Sequence, residues 1–314
     1  MKLALFSVTY SGIWYKGEPV PLKEQIRRAK KLGFDGLSIE TKRPVGSPLD
    51  LDKAARKSLA EFAKSEGIEI CALEANNDFT KPTAEDQENN LLMVKSIMEM
   101  ARDLDVGIVK VFAAWPGVTM RNGLAAYELA HRFNPNQTYM TDLERWDLAV
   151  SGIREAAKWA EEYGVVLALQ NHPPVVNYGY EDALDMVKMV NDKNVKLCLD
   201  VPLFERQDDE YIKEAVQKCR GLIVLSHYGS WDFRPTESGG IIQLPMERTG
   251  TVVNYRSYVR ELSNAGYNGF LAQEECAPVL VDHKLQGIEE VDRRVSAAVK
   301  HMRRLVSAPE IAAR

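Results

Sequence analysis

No stretch of the 314-residue chain approaches the roughly 18 consecutive apolar residues that a bilayer-spanning helix needs. Nor is there an excess of positive charge: 40 Lys and Arg stand against 45 Asp and Glu, a formal charge of −5. Gripping a phosphate backbone takes a basic footprint, so neither nucleic acid nor a membrane is the expected partner. Cysteine is scarce. Cys71, Cys198, Cys219 and Cys276 lack the paired spacing of a zinc site, and three lie in or beside apolar runs. They read as buried, reduced thiols of a cytoplasmic protein. No linker rich in Pro, Gly or Ser divides the chain, so one domain is expected over 1–306, with a short tail at 307–314. The opening MKLALFSVTYSGIWYKG lacks a small-residue cleavage pattern and reads as a first β-strand. There is no phosphate loop, no His-Glu-x-x-His, no Gly-x-Ser-x-Gly, and no Gly-x-Gly-x-x-Gly after the first strand.

What the chain does have is one unit repeated: an amphipathic helix, a Gly-containing turn, then a short apolar strand. Gly33 leads to LSIE, Gly67 to IEICALE, Gly107 to IVKVFAA and Gly164 to VVLALQNH. Asn194 leads to VKLCLD, Gly221 to LIVLSH and Gly269 to FLAQEE. Glycine suits the position just past a helix because left-handed dihedrals cost it little. With LALFSV at 3–8, the strands number eight. The segments between them carry the 3.6-residue period, as in LKEQIRRAKKL at 22–32 and AVSGIREAAKWAEEY at 149–163, and a last helix is expected near 287–306. Near-continuous apolar strands belong to a parallel sheet covered on both faces. Eight such alternations predict an α/β fold, a single (β/α)₈ TIM barrel, in preference to a doubly wound sheet. Three connections after strand ends are longer than closure requires, at roughly 114–141, 228–252 and 275–286. In this fold they lie over the functional face.

The last residues of the strands carry the chemistry. The fifth run ends in Gln170-Asn171-His172, the sixth in Asp200, the seventh in His227 and the eighth in Glu274-Glu275. Alternation puts Ala168 with Gln170, and Lys196 with Cys198 and Asp200, on one side of each strand. If those sides face the barrel axis, oxygen and nitrogen donors converge as ligands for one divalent cation, Mn²⁺ first, then Co²⁺, Mg²⁺ or Zn²⁺. Such an ion polarises a sugar carbonyl or hydroxyl and opens the adjacent carbon to a base. His172, whose imidazole titrates near neutrality, is the candidate acid or base, and the Pro173-Pro174 pair that follows would hold its ring. Glu40 and Glu74 close the second and third runs and are acid/base or hydroxyl-binding candidates. Tyr10, Trp14 and Tyr15, then Trp115, then Trp231 and Phe233 all follow strand ends. Of these, Trp14, Trp115 and Trp231 are the expected sugar- or aryl-binding surfaces. Lys42-Arg43 is either an anion contact or a solvated loop. His131, His283 and His301 carry little weight.

GFDGLSIE, LALQNHPP, VKLCLD, VLSHYG and FLAQEEC resemble the sugar phosphate isomerase/epimerase group of xylose-isomerase-like barrels along nearly the whole chain. The resemblance implies a Glu-Asp-His-Glu metal set from strands five to eight, often holding Mn²⁺. Asp200, His227 and Glu274 match it, whereas Gln170 stands in the place of the first Glu. An amide oxygen still ligates, but it brings no charge, so affinity falls. It also leaves a ketose 3-epimerase without one of its two carboxylate bases. SVTYSGIWYKG, TKRP, ANNDF and QNHPP are similar, more narrowly, to the larger subunit of C-glycoside deglycosidases. That resemblance implies a small β-sandwich partner subunit, a hetero-oligomer, and a 3-oxo-glycoside made by a separate oxidoreductase. Loss of the proton on carbon 2 and expulsion of the aglycone from carbon 1 would complete a β-elimination. The expectation from sequence is therefore a metal-dependent lyase. A ketose isomerase or 3-epimerase is its alternative, and a non-catalytic scaffold subunit is a further one.

Overall fold

The computed structural model describes residues 1–115, 117–121, 124–126, 140–236, 238, 240–246 and 248–308. Eight parallel strands close into a barrel: β1 (Lys2–Phe6), β2 (Gly36–Glu40), β3 (Glu69–Glu74), β4 (Ile108–Val111), β5 (Val166–Gln170), β6 (Val195–Asp200), β7 (Ile223–Gly229) and β8 (Phe270–Glu274). Each pairs with its neighbours in sequence, and β8 returns to β1 with Lys2 opposite Phe270. The connecting helices are α1 (Leu22–Leu32), α2 (Lys53–Glu66), α3 (Ala84–Asp103), α4 (Asp142–Tyr163), α5 (Glu181–Val190), α6 (Asp209–Lys218), α7 (Tyr255–Asn264) and α8 (Ile288–Val306). The expected α/β barrel is the fold observed. No helix among the described residues is long and apolar enough to cross a membrane.

Local chemistry sets the helix ends. Asp52, Thr83 and Thr141 accept hydrogen bonds from the backbone N–H three residues on, and Thr141 with Glu144 forms a reciprocal capping box. α4 therefore begins at Asp142, a full two turns before the apolar periodicity at 149 becomes legible. At its other end Gly164 takes φ 68°, and its N–H reaches back to the carbonyls of Ala160 and Glu161.

Period-2 alternation sorts each strand between two cores. Leu5, Ile39, Leu73, Val111, Leu169 and Leu199 belong to the large core shared with the helices. Ala4, Ala72, Ala168, Cys198 and Ala272 join Phe6, Leu225 and Phe270 in a separate cluster inside the barrel. Most of these side chains are small, and on β3, β5, β6, β7 and β8 the residue one pleat above is polar.

All four cysteines are free thiols; Cys71, Cys198 and Cys219 are buried and Cys276 partly so. Each long connection carries a small antiparallel hairpin: Thr119–Arg121 with Leu124–Ala126 after β4, Phe233–Pro235 with Ile241–Gln243 after β7, and Leu280–Val281 with Lys284–Leu285 after β8. His131 and the tail from 309 onward lie outside the described residues.

Candidate metal centre and active site

At the C-terminal end of the barrel each of seven successive strands presents one polar side chain. These are Glu40, Glu74, Lys110, Gln170, Asp200, His227 and Glu274, all buried. Register explains the ring. Glu40 lies opposite Glu74, Glu74 opposite Lys110, and Asp200 opposite His227.

From β5 to β8 the side chains form a donor cluster. One ligand atom from each of Asp200, His227 and Glu274 lies within 4.8 Å of the others. Gln170 Nε2 donates to Asp200 Oδ2 at 3.0 Å and sits 3.4 Å from His227 Nδ1. Asn171 braces the cluster from behind: the Asp200 N–H donates to Asn171 Oδ1 at 2.6 Å, and Asn171 Nδ2 to the Asp200 carbonyl at 3.2 Å. Burial, with Asp200 beside it, pushes the Glu274 carboxyl up to about 8, and burial likewise raises Asp200. Gln170 Oε1 and Asp200 Oδ1 are buried without a hydrogen-bond partner. Buried oxygens are normally satisfied, so two orphans beside two destabilised carboxylates fit a site for a cation. Carboxylate, imidazole and amide donors together suit a divalent ion of intermediate hardness.

From β2 to β4 the charges are matched within the protein. His227 Nε2 lies 3.3 Å from Glu74 Oε1, which also accepts from Ser38 Oγ. Lys110 Nζ is 3.5 Å from Glu74 Oε2. Burial would raise the Glu74 pKa, but His227, Lys110 and Ser38 outweigh it and hold the carboxyl below its ordinary value. Glu40 pairs with Lys42 at 3.2 Å, yet burial still raises its carboxyl.

A cavity of about 830 Å³ opens above the ring, lined among others by Glu40, Lys110, Gln170, His172, Asp200 and Glu274. Glu74 and His227 are not part of its lining. His172 Nδ1 bonds to the Pro173 carbonyl, which assigns the proton to Nδ1 and leaves Nε2 as the basic nitrogen. Its ring stands edge-on to Phe112 and Trp115, both at 5.1 Å, and those two rings stack at 4.8 Å. Trp14 and Trp231 also line the cavity. The other aromatics expected on this face turn away from it. Tyr10 and Tyr15 enter the core shared with the helices, and Phe233 packs on Tyr255 and His301. Arg43 bonds Asp50 on the surface, while His283 sits on the cavity wall at a hairpin tip.

Two features were not read from the sequence. Lys110 lies within an apolar run, and a lysine there was the available signal. Arg294 on α8 is buried, pairs with Glu275 at 3.3 Å and Glu290 at 3.1 Å, and reaches the cavity from the last helix.

The family model for xylose isomerase-like TIM barrels matches residues 26–305. The chain belongs to that family. Within this xylose isomerase-like group, D-psicose 3-epimerase of Ruminiclostridium cellulolyticum is 23% identical over 277 residues, 84% of this chain and 82% of that protein. The solved structure of D-psicose 3-epimerase with D-tagatose from Clostridium cellulolyticum H10 has a TM-score of 0.71 at 19% identity, covering 98% of this chain and 99% of the other. A 3-keto-D-glucoside 4-epimerase from E. coli has a TM-score of 0.68 at 16% identity, covering 96% and 99%. The IolI protein with a bound zinc atom has a TM-score of 0.67 at 23% identity, covering 98% of each chain. These relatives match the broader of the two resemblances drawn from the sequence. They are not specifically C-glycoside deglycosidases.

Proposed function

We propose that this chain is a divalent-metal-dependent enzyme that removes the proton next to the carbonyl of an oxo sugar. The observation that carries the proposal is the cluster of Asp200, His227 and Glu274 within 4.8 Å, with orphaned Gln170 and Asp200 oxygens at the floor of the cavity. Bound there, Mn²⁺ or Zn²⁺ would act as a Lewis acid on the sugar's carbonyl. Asp200, Glu274, His227 Nδ1 and Gln170 Oε1 are the groups that would hold it. Glu74 fixes the tautomer and angle of His227 through Nε2, an outer carboxylate behind a ligating imidazole. Glu40 and His172 Nε2 line the cavity and are its acid–base pair, while Trp14, Trp115 and Trp231 offer faces for a sugar ring or aryl group.

Two outcomes share this first step. Returning the proton to the other face of the same carbon gives epimerisation, the activity of D-psicose 3-epimerase and the reading its likeness favours. Expelling a group from the next carbon gives β-elimination. That second reading is favoured by Gln170, which removes a carboxylate base from the end of β5, and by the 3-oxo sugar named for one structural relative. The small β-sandwich partner belongs to this second reading. Incubating the Mn²⁺-loaded protein in D₂O with D-fructose, D-tagatose and an aryl 3-oxo-glucoside distinguishes them by proton NMR. A changed ketose supports epimerisation and a released aglycone supports elimination. Neither deuterium uptake nor aglycone release from any of them rejects the common step.

A further inference from the structure

Lys110 is the one cation from the barrel strands in the ring of polar side chains. It is almost fully buried, at 2% exposed, yet its side chain lines the cavity. A buried ammonium carries three N–H donors and is costly to leave unsatisfied. Two acceptors are near, and both contacts are long: Ala75 O at 3.4 Å and Glu74 Oε2 at 3.5 Å. A charge-assisted hydrogen bond closes to about 2.7–2.9 Å, so neither is a full one. A third contact is with the face of Phe112, 3.6 Å from the ring centroid. His227 and Ser38 serve the other oxygen of Glu74, and even the oxygen that faces Lys110 takes no hydrogen bond from it. A purely structural ion pair in this position would close up and lie beneath the cavity. Lys110 instead keeps its donor capacity on the cavity wall.

Its surroundings fit a role in catalysis. The charge of Lys110 acts on Glu40, Glu74, Asp200 and Glu274, four carboxylates from four different strands. β4 pairs with β5, Lys110 opposite Ala168, so the backbone of the lysine stands one pleat below Gln170. A substrate that enters this cavity and loses a proton beside its carbonyl concentrates negative charge on one oxygen. A prearranged donor with unused N–H groups is what that oxygen needs.

We propose that Lys110 is a catalytic residue whose ammonium donates a hydrogen bond to the carbonyl oxygen of an oxo sugar as that oxygen takes up negative charge. The C–H bond breaks, its proton passes to a side-chain base, and its electron pair becomes the enolate double bond. The former carbonyl pair settles on the oxygen that Lys110 holds. This rests on the enolisation reading above and adds the residue that stabilises its intermediate.

The test compares wild type, Lys110→Met and Lys110→Arg, each stripped with chelator and reloaded with Mn²⁺. Three quantities are read: Mn²⁺ affinity by calorimetry, thermal midpoint, and deuterium uptake from D₂O by D-fructose, D-tagatose and a 3-oxo-glucoside. Lys110→Met is expected to bind Mn²⁺ at least as tightly, because a neighbouring positive charge is gone, and to lose about 100-fold or more in deuterium uptake. Lys110→Arg is expected to recover part of that loss. Uptake by Lys110→Met within about threefold of wild type overturns the role of the lysine and leaves enolisation standing. Uptake and Mn²⁺ binding lost together also overturn it, since the lysine is then structural. Wild type that binds Mn²⁺ but neither exchanges deuterium nor cleaves the 3-oxo-glucoside overturns the enolisation reading itself, and the lysine's role with it.

Discussion

The two arcs of the barrel mouth solve the same electrostatic problem differently. Between β2 and β4 every buried carboxylate has a partner in the protein: Lys42 for Glu40, and Lys110, His227 and Ser38 for Glu74. Between β5 and β8 the pairing is looser: His227 Nδ1 stands 3.8 Å from Glu274 Oε2, and Asp200 accepts from the neutral amide of Gln170. Each arc keeps orphaned carboxylate oxygens, on Glu40 and Glu74 as on Asp200, but only Glu274 is pushed up as far as about 8, by burial and by Asp200. Self-matched charge stabilises a fold, and unmatched charge stores an affinity for something outside it. The difference is what makes β5 to β8 the proposed ligand arc. It also explains why Gln170 is tolerable. A neutral amide beside Asp200 adds no charge to the repulsion between Asp200 and Glu274.

The comparison breaks most sharply at Asp200. Asp200→Ala should remove bound Mn²⁺, measured by elemental mass spectrometry, and lower deuterium uptake by about 10³-fold, since Lewis-acid assistance is worth several kcal/mol. Glu74→Gln moves the damage to the matched arc. It keeps the shape but loses the charge behind His227, so Mn²⁺ affinity should fall about 10–100-fold in calorimetry. Gln170→Glu sharpens the contrast by adding charge to the unmatched arc, and Mn²⁺ should bind about tenfold tighter, roughly 1.4 kcal/mol. The ion-free form of that variant should melt at a lower temperature than wild type.

The smallest effect is at the rim, on Asp232, a buried group on the cavity wall that receives Gln243 Nε2 at 3.1 Å. Burial raises its carboxyl from 3.8 to about 7. The unfolded chain therefore gives up this proton first, and stability falls as pH rises between those two values. Asp232→Asn should leave the thermal midpoint unchanged near pH 4 and raise it by a few degrees, about 1 kcal/mol, near pH 8.

The barrel was legible because its signals are local. Gly33 ends α1 with φ 90°, and Gly67 ends α2 with φ 74°, where the chain needs left-handed backbone. The clustering of Asp200, His227 and Glu274 was legible for a related reason: with a period of 2, the inward residues near the end of a strand can be counted from its apolar run. Gln170, Asp200, His227 and Glu274 each close such a run. The matched arc was not legible as an arc. Glu74 meets His227 across 153 positions of sequence, and no local pattern records which carboxylate stands behind which imidazole. Lys110 disappeared among the valines of β4 because periodicity weighs polarity by average, and one lysine in an apolar strand barely changes the average. Tyr10 and Phe233 show the reverse failure. Both follow strand ends, but one pleat or one turn decides whether a ring meets substrate or core.

Arg294 gives the cavity wall a single fastening point. From α8 it ties Glu275, which follows β8, and it donates to the carbonyl of Leu280 in the hairpin beyond. Glu275 in turn accepts from Ser230 after β7 at 2.6 Å, so one arginine joins the two loops that follow the last two strands. The helix outside the barrel thus acts as a latch on the rim of the cavity inside it.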